Sequence, residues 1–467
     1  MINQATIAQT NNFAALEPAK LDAALEREEK SFEQNNTPAP KLSTWDKFKD
    51  LAIKYAGIID SRESVYRSFL DFVSSDIPTI ITNANRGLSS FLEATIEGFM
   101  GTGTFLFAPF ITKCSATAAS KFILKAEEKD QVDYYLKFHM PELRDQESFE
   151  KGLERIKSEE AQDQRRIAKL YKSLNRQDQV DAYNEKARKI EEFCDSCEFS
   201  QDKLDRIYKL KKAAILTESG LEGGFWGGFG LMLRWFRKNI MGQNRFTGTS
   251  KYINDEDSKK IGEAGELSSM QKILGTLMIP LSPIVNTIFL KMTKNKEAVD
   301  KSPALQKIEN NIDMTHGYFP KLGLMFTYSS MPKWVSVFIG AQGADEAIER
   351  LAKFLLFIPS WWMGHKVTNG TLAAKADKKL AEKHGVEQGI LVEKSELGKS
   401  MPEPARIHHV LKATEGNDEL QADAIKEHAR VLYSGLGLHS LAMMAIFFGV
   451  NMMTKFRTLK KLKKAES

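Results

Sequence analysis

Cys194-Asp195-Ser196-Cys197 comes closest to a recognisable chemistry in this chain. Two cysteines at this spacing suit half of a zinc site or a redox pair, because thiolates bind soft metals and exchange disulfides. A structural zinc needs two more ligands, and the sequence has no second CxxC and no HxxxH. Both cysteines also continue an apolar seam, Val180, Tyr183, Ala187, Ile190, Cys194 and Cys197, that steps by three and four residues. That is a heptad pattern, so the cysteines are expected to pack rather than react.

Other motifs fail on a single residue. Gly398-Lys399-Ser400 ends like a phosphate-binding loop, but Glu393 stands where the first glycine belongs and its carboxylate would repel phosphate. Gly101-Thr102-Gly103 lacks the third glycine of a dinucleotide fingerprint. His408 and His409 are adjacent, so on a helix they diverge by about 100° and do not share a metal face. No catalytic, cofactor-binding or metal-ligating residue is expected, no cofactor is implied, and the balance is against an enzyme.

The acids are better placed. Glu93/Glu97, Glu218/Glu222, Glu263/Glu266 and Glu346/Glu349 each put two carboxylates on one helical face beside an apolar run. Ionisable groups in such places are costly and often functional. At the start of a helix, however, Glu also complements the dipole, and that reading is favoured for residues 93, 97, 218 and 222. Three of the pairs precede similar tetrapeptides, Leu106-Phe107-Ala108-Pro109, Leu277-Met278-Ile279-Pro280 and Leu356-Phe357-Ile358-Pro359. A repeated unit of acidic turn, small-residue apolar helix and proline break would explain this; so would chance.

The elements that must carry these residues are helical. No sustained period-two alternation calls for a sheet, so the fold class is mainly α, with several Gly/Pro-interrupted apolar helices and a charged helical hairpin. Hydrophobic residues make up 42% of the 467 and charged residues 27%. Mean hydropathy is −0.35, so any membrane part is a minority of the chain. Three cysteines make no disulfide framework and point to a reducing compartment. The N-terminus shows neither a basic nor an apolar leader region, so an internal segment must direct any membrane insertion.

Residues 1–40 are polar and are expected to be a disordered arm with one fraying helix at 19–33. Residues 41–125 hold amphipathic helices and the first apolar zone. In the first helix, capped by Ser43 or Thr44, Trp45, Phe48, Ala52, Tyr55 and Ile59 share a face. The second, capped by Asp60 or Ser61, carries Val65, Phe69, Phe72 and Val73 and is expected to stop at Pro78. The longest uncharged run of the apolar zone, 98–112, is interrupted by Pro109 and is short for a membrane span.

Residues 126–212 contain 21 acids and 19 Lys/Arg, with apolar residues at helical spacing and Asn175 as the turn of a hairpin. Residues 213–366 hold apolar helices with breaks. They include the GxxxG pairs Gly223/Gly227 and Gly224/Gly228, and the mixed Arg234-Trp235-Phe236-Arg237-Lys238, which suits a water–membrane boundary. Pro280 and Pro283 are expected to kink the 273–290 run. Residues 367–430 form a charged, Ala-rich linker region.

Residues 431–454 have no formal charge and reach about 36 Å as a helix, enough to cross a bilayer. The tail 455–467 carries six Lys/Arg and one Glu, which suits headgroup phosphates. Cations flank nearly every apolar zone on both sides, which argues against a polytopic transporter. The expectation is an integral membrane protein with a cytoplasmic C-terminal tail. Its function would be structural or interactive, with residues 126–212 docking a protein partner and no nucleic acid bound. The alternative is a small-solute or lipid-handling membrane protein using proline-broken helices, and the third reading is a soluble enzyme with an unusual apolar core.

Overall fold

The computed structural model describes residues 44–467 except 173, 175, 264, 316–318 and 360–365. The expected 1–40 arm, the Ser43 cap and the Asn175 turn lie outside the described residues. The chain divides into the units Met1–Leu51 and Ala52–Ser467. The described part of the first unit is the beginning of the helix Thr44–Ser61.

The second unit is mainly helical; the described residues add one short antiparallel ladder, Met314–Thr315 with Phe319–Pro320, and an isolated bridge between Val392 and Pro404. Two of the three longest helices start where a side chain satisfies a free backbone N–H. Ser200 accepts from Lys203 N at the head of Gln201–Asn239, and Asn417 accepts from Leu420 N at the head of Asp418–Glu466. The third long helix, Leu88–Ile123, runs through Pro109 without a break.

Pro78 does not stop the chain either. Glu63–Asp71 passes through a wide turn, Phe72–Asp76, directly into Ile77–Ala84, with Pro78 in its first turn. A proline ring clashes with the carbonyl four residues back, and an i→i+5 turn relieves that crowding. The same device recurs where the wide turn Phe326–Ser330 precedes Pro332. Neither expected cap serves the Glu63–Asp71 helix: its N-cap is Arg62, while Asp60 is taken by Arg406 and the Ser61 hydroxyl by Ile58 O. Of the two prolines in the 273–290 run, Pro280 marks a 43° bend between Ser269–Met278 and Leu281–Met292. Pro283 lies inside the first turn of the second helix, where a proline is tolerated.

The charged stretch packs at its apolar seam. Gln162–Lys172 lies against Gln177–Ser196, with Ile167, Leu170, Tyr171, Val180, Tyr183, Ala187 and Ile190 buried. Ala187 and Ile190 continue into a core with Leu290, Ile312, Leu324 and Tyr328, while Ile167, Tyr171, Val180 and Tyr183 close on Ile58. The Asp418–Glu466 helix packs on Ile77–Ala84 and Ala344–Pro359; its buried face includes Met443 and Phe447, and also Leu432 and Leu436, which pack with Tyr66 and Leu70. Its other face exposes Leu438, Leu441, Phe448 and Met453.

The Gly-rich helix sits close to its neighbours at three points. A Cβ at Gly223 would fall 2.2 Å from Ser282 Cβ, one at Gly227 2.5 Å from Met278 O, and one at Gly230 2.0 Å from Ser336 O. Gly224 and Gly228 meet only Ile279, at ordinary contact distances. One of the two GxxxG pairs therefore carries the packing.

Candidate functional site

Leu88–Ile123 and Gln201–Asn239 run antiparallel, and their touching faces are polar at both ends. At one end Arg237 donates from Nε to Glu93 Oε2 at 2.8 Å. At the other Thr112 donates to Glu218 Oε2 at 2.7 Å. The contacts span 93 to 112 on one helix and 218 to 237 on the other, the same interval on each, about 28 Å of helix.

The Arg237 end is a buried ion network. Arg237 also donates from Nη1 to Glu346 Oε2 at 2.8 Å and to Gln342 Oε1 at 3.1 Å. Arg350 bridges Glu93 at 2.7 Å and Glu97 at 2.8 Å. Arg86 forks onto both Glu349 oxygens, at 2.6 and 2.8 Å, and reaches Asn451 at 2.9 Å. Lys353 donates to Glu349 at 2.7 Å. Ions this deep persist only when paired with good geometry, and forked guanidinium–carboxylate pairs supply it.

Beside this network lies a chamber of about 110 Å³, lined by Asp71, Asp76, Glu97, Lys333, Arg350 and Lys353 and walled by Trp226, Trp334 and Phe447. Three charged ends converge on the bare backbone of Gly101. A Cβ there would lie 3.6 Å from Asp71 Oδ2, 4.0 Å from Asp76 Oδ1 and 3.8 Å from Lys333 Nζ. Lys333 Nζ also sits 3.7 Å from Glu97 and 4.8 Å from the Trp226 ring centre. The Thr102 hydroxyl donates to Asp76 at 2.6 Å.

The wide turn makes this convergence. In a regular helix, residues 71 and 76 would point about 140° apart, whereas an i→i+5 turn brings them onto one face. Among the described residues, network and chamber together hold six carboxyls (Asp71, Asp76, Glu93, Glu97, Glu346, Glu349) and five cations (Arg86, Arg237, Lys333, Arg350, Lys353). Carboxyls outnumber cations by one, and Asp71 and Asp76 share Lys333 as the cation beside them.

The acids noticed in the sequence are brought indoors. Glu93, Glu218, Glu222, Glu263, Glu346 and Glu349 are buried and Glu97 nearly so; Glu266 alone stays outside, paired with Lys238. The dipole reading of residues 93, 97, 218 and 222 is corrected: these carboxyls point into the protein core. The basic-aromatic cluster is corrected in the same way, since Arg234 and Arg237 turn inward while Trp235 is 59% exposed. In the basic tail, Arg457 and Lys461 reach the buried Asp345, at 3.1 and 2.9 Å.

Cys194 and Cys197 are free and half-buried against the core of the charged region. Burial, with the neighbouring Cys197 and Asp195, pushes the Cys194 thiol up to about 12. His408 and His409 point apart, to Ser61 O and Gly389 O. No family model, no curated protein and no solved structure matches this chain. The chemistry of the chamber rests on its own side chains.

Proposed function

We propose that this is a membrane-embedded helical protein whose buried chamber receives a small cationic solute. The observation that carries the reading is local: helices around the chamber carry apolar side chains on their outer faces and charges on their inner ones. Phe99, Phe107, Leu355, Leu441 and Met453 are each at least 60% exposed, while Glu93, Arg237 and Glu346 are at most 2% exposed. In water, burial of apolar surface drives the opposite arrangement. In hydrocarbon, charges turn inward and pair. Asp418–Glu466 is the one helix among the described residues long and apolar enough to cross a membrane, and the bent pair Ser269–Met278 and Leu281–Met292 adds a second if it is counted as one span. The basic end of the chain then lies on the cytoplasmic side.

Asp71 and Asp76 are the recognition groups, because among the described residues they are the chamber carboxyls without an ion pair. Trp226 and Trp334 supply aromatic faces to a cation, and Lys333 is the internal counter-ion that a solute displaces.

The test uses the full chain purified in detergent, with the two chamber tryptophans as reporters. Methylammonium and guanidinium chloride are titrated against potassium chloride at matched ionic strength. A saturable fluorescence change with one organic cation, lost in D71N/D76N, supports the reading. No saturable change, or the same change in the double variant, overturns it. Release of the full chain from membranes by alkaline carbonate overturns the membrane part separately.

A further inference from the structure

At the far end of the helix pair from Arg237, Glu218 and Glu222 are 0% and 4% exposed. One helical turn apart, they share a face of Gln201–Asn239. Glu218 Oε2 accepts from Thr112, but Glu218 Oε1 and both Glu222 oxygens have no hydrogen-bond partner. Tyr328, 0% exposed, lies within electrostatic reach of both carboxyls, and its hydroxyl is also without a partner. Four orphaned polar atoms in one buried place require an explanation, since an unmade hydrogen bond leaves the desolvation of each group uncompensated.

Among the described residues the surroundings offer no counter-ion. Leu281–Met292 turns Ser282 and Asn286 to this face, and Asn286 is already held by the Ser219 and Thr327 hydroxyls. Leu88–Ile123 contributes Thr112, while its next residue, Lys113, pairs with Asp133 at the surface. From Phe326–Ser330 the titratable group is Tyr328. The nearest cation on Met331–Ile339 is Lys333, which lies over Trp226 and belongs to the chamber beside Glu97.

We propose that Glu218 and Glu222 form a proton-binding pair, holding one proton between them at neutral pH, with the Tyr328 hydroxyl as the second donor. One added proton satisfies the orphans: Glu222 donates to Glu218 Oε1, and Tyr328 donates to the remaining Glu222 oxygen. Two carboxyls sharing one proton is the arrangement that like charges at close range enforce. The site is separate from the cation chamber and stands whether or not the chamber binds a solute. Thr112 fixes which Glu218 oxygen is left to accept.

The test is infrared spectroscopy of the detergent-purified full chain at neutral pH, in water and in deuterium oxide. A protonated-carboxyl C=O band that shifts on deuteration is expected, lost in E222Q and retained in D71N/D76N. Should E222Q fail to fold, Y328F must shift that band, because it removes the donor to the same carboxyl. Absence of the band in the wild-type chain overturns the proposal. So does a band unchanged in E222Q, or a band unmoved by Y328F where E222Q does not fold. Retention of one sodium or potassium ion per chain, lost in E222Q, would also overturn it and give the pocket to a metal cation.

Discussion

Thr112 and Glu218 close one end of an antiparallel helix pair whose other end is closed by Glu93 and Arg237, and the spacing is the same on both helices. Between these ends Gly101 and Phe105 on one helix and Trp226 on the other line the chamber, while Gly230 turns to Ser336 on a neighbouring helix. Small residues let the helices and their neighbours approach, and the aromatic rings fill what remains. The polar ends are about 28 Å apart along the helix, close to the thickness of a hydrocarbon layer.

Arg237 is the keystone of the network because it neutralises Glu93 and Glu346 together. Removing it leaves two buried carboxylates short of a partner. R237M is expected to cost about 3–5 kcal/mol of stability, the usual penalty for stranding a buried charge. E93Q/R237M should recover part of that loss, because one stranded charge is gone. Thermal unfolding of the three proteins in the same detergent decides it, and an R237M variant as stable as the wild type would remove the network from the stability argument.

The glycines separate into two classes that a scan can tell apart. At Gly227 and Gly230 an added methyl meets backbone carbonyls, which do not move aside easily. G227A and G230A are expected to destabilise by about 1–3 kcal/mol through overpacking. At Gly224 and Gly228 the methyl meets only Ile279 at 3.8 and 4.0 Å. There alanine should be neutral or add up to about 1 kcal/mol through helix propensity. The readout is again thermal unfolding, and equal effects at all four positions would contradict the close approach.

The helical class, the Ser200 cap and the packed seam from Val180 to Ile190 follow from local rules, so they could be read from the sequence. The acid pairs were visible as pairs, but their direction was not. A glutamate at the head of an apolar helix has the same local pattern whether it faces solvent or a partner 144 residues away, as Glu93 faces Arg237. Arg350 and Lys353 follow Glu346 and Glu349 by four residues on one helix, but Arg86 and Arg237 lie on other elements, so only the tertiary fold brings those two to their carboxylates. Asp71 and Asp76 are hidden for a second reason: their shared face exists only because of the wide turn, and the prolines just after such turns look like helix stops. Pro78 and Pro332 are the trace it leaves in the sequence.

Cys194 offers a test away from the chamber. With its thiol pushed up to about 12, its thiolate fraction at neutral pH falls to about one-thousandth of an ordinary cysteine's. Alkylation by iodoacetamide should therefore be slower than that of N-acetylcysteine by about that factor in the folded chain, and should become ordinary on unfolding. Mass-spectrometric labelling at Cys194 reads this directly. Rapid labelling in the native protein would mean the seam is open.

The acid side of the stability profile is expected to depend on Arg406. Burial on its own would raise the Asp60 and Glu63 carboxyls, but Arg406 overrides it, helped by His428 at Asp60 and by Arg67 at Glu63. Asp60 is held well below the usual carboxylate range, and Glu63 moves from 4.5 to about 2. The contacts are close: Arg406 Nε to Asp60 Oδ1 at 2.6 Å, and Nη1 to Glu63 Oε2 at 2.7 Å. A depressed folded-state value stabilises the protein above the unfolded value and stops doing so as the pH falls through the folded one. For Glu63 that loss runs from about 4.5 down to about 2 and amounts to on the order of 3 kcal/mol. R406Q should lower stability at neutral pH and flatten the decline below about 4.5, because the carboxyls then bind protons nearly as readily folded as unfolded. Unfolding midpoints measured across that acid range in both proteins are the check. Parallel profiles would show that other carboxyls drive the acid transition.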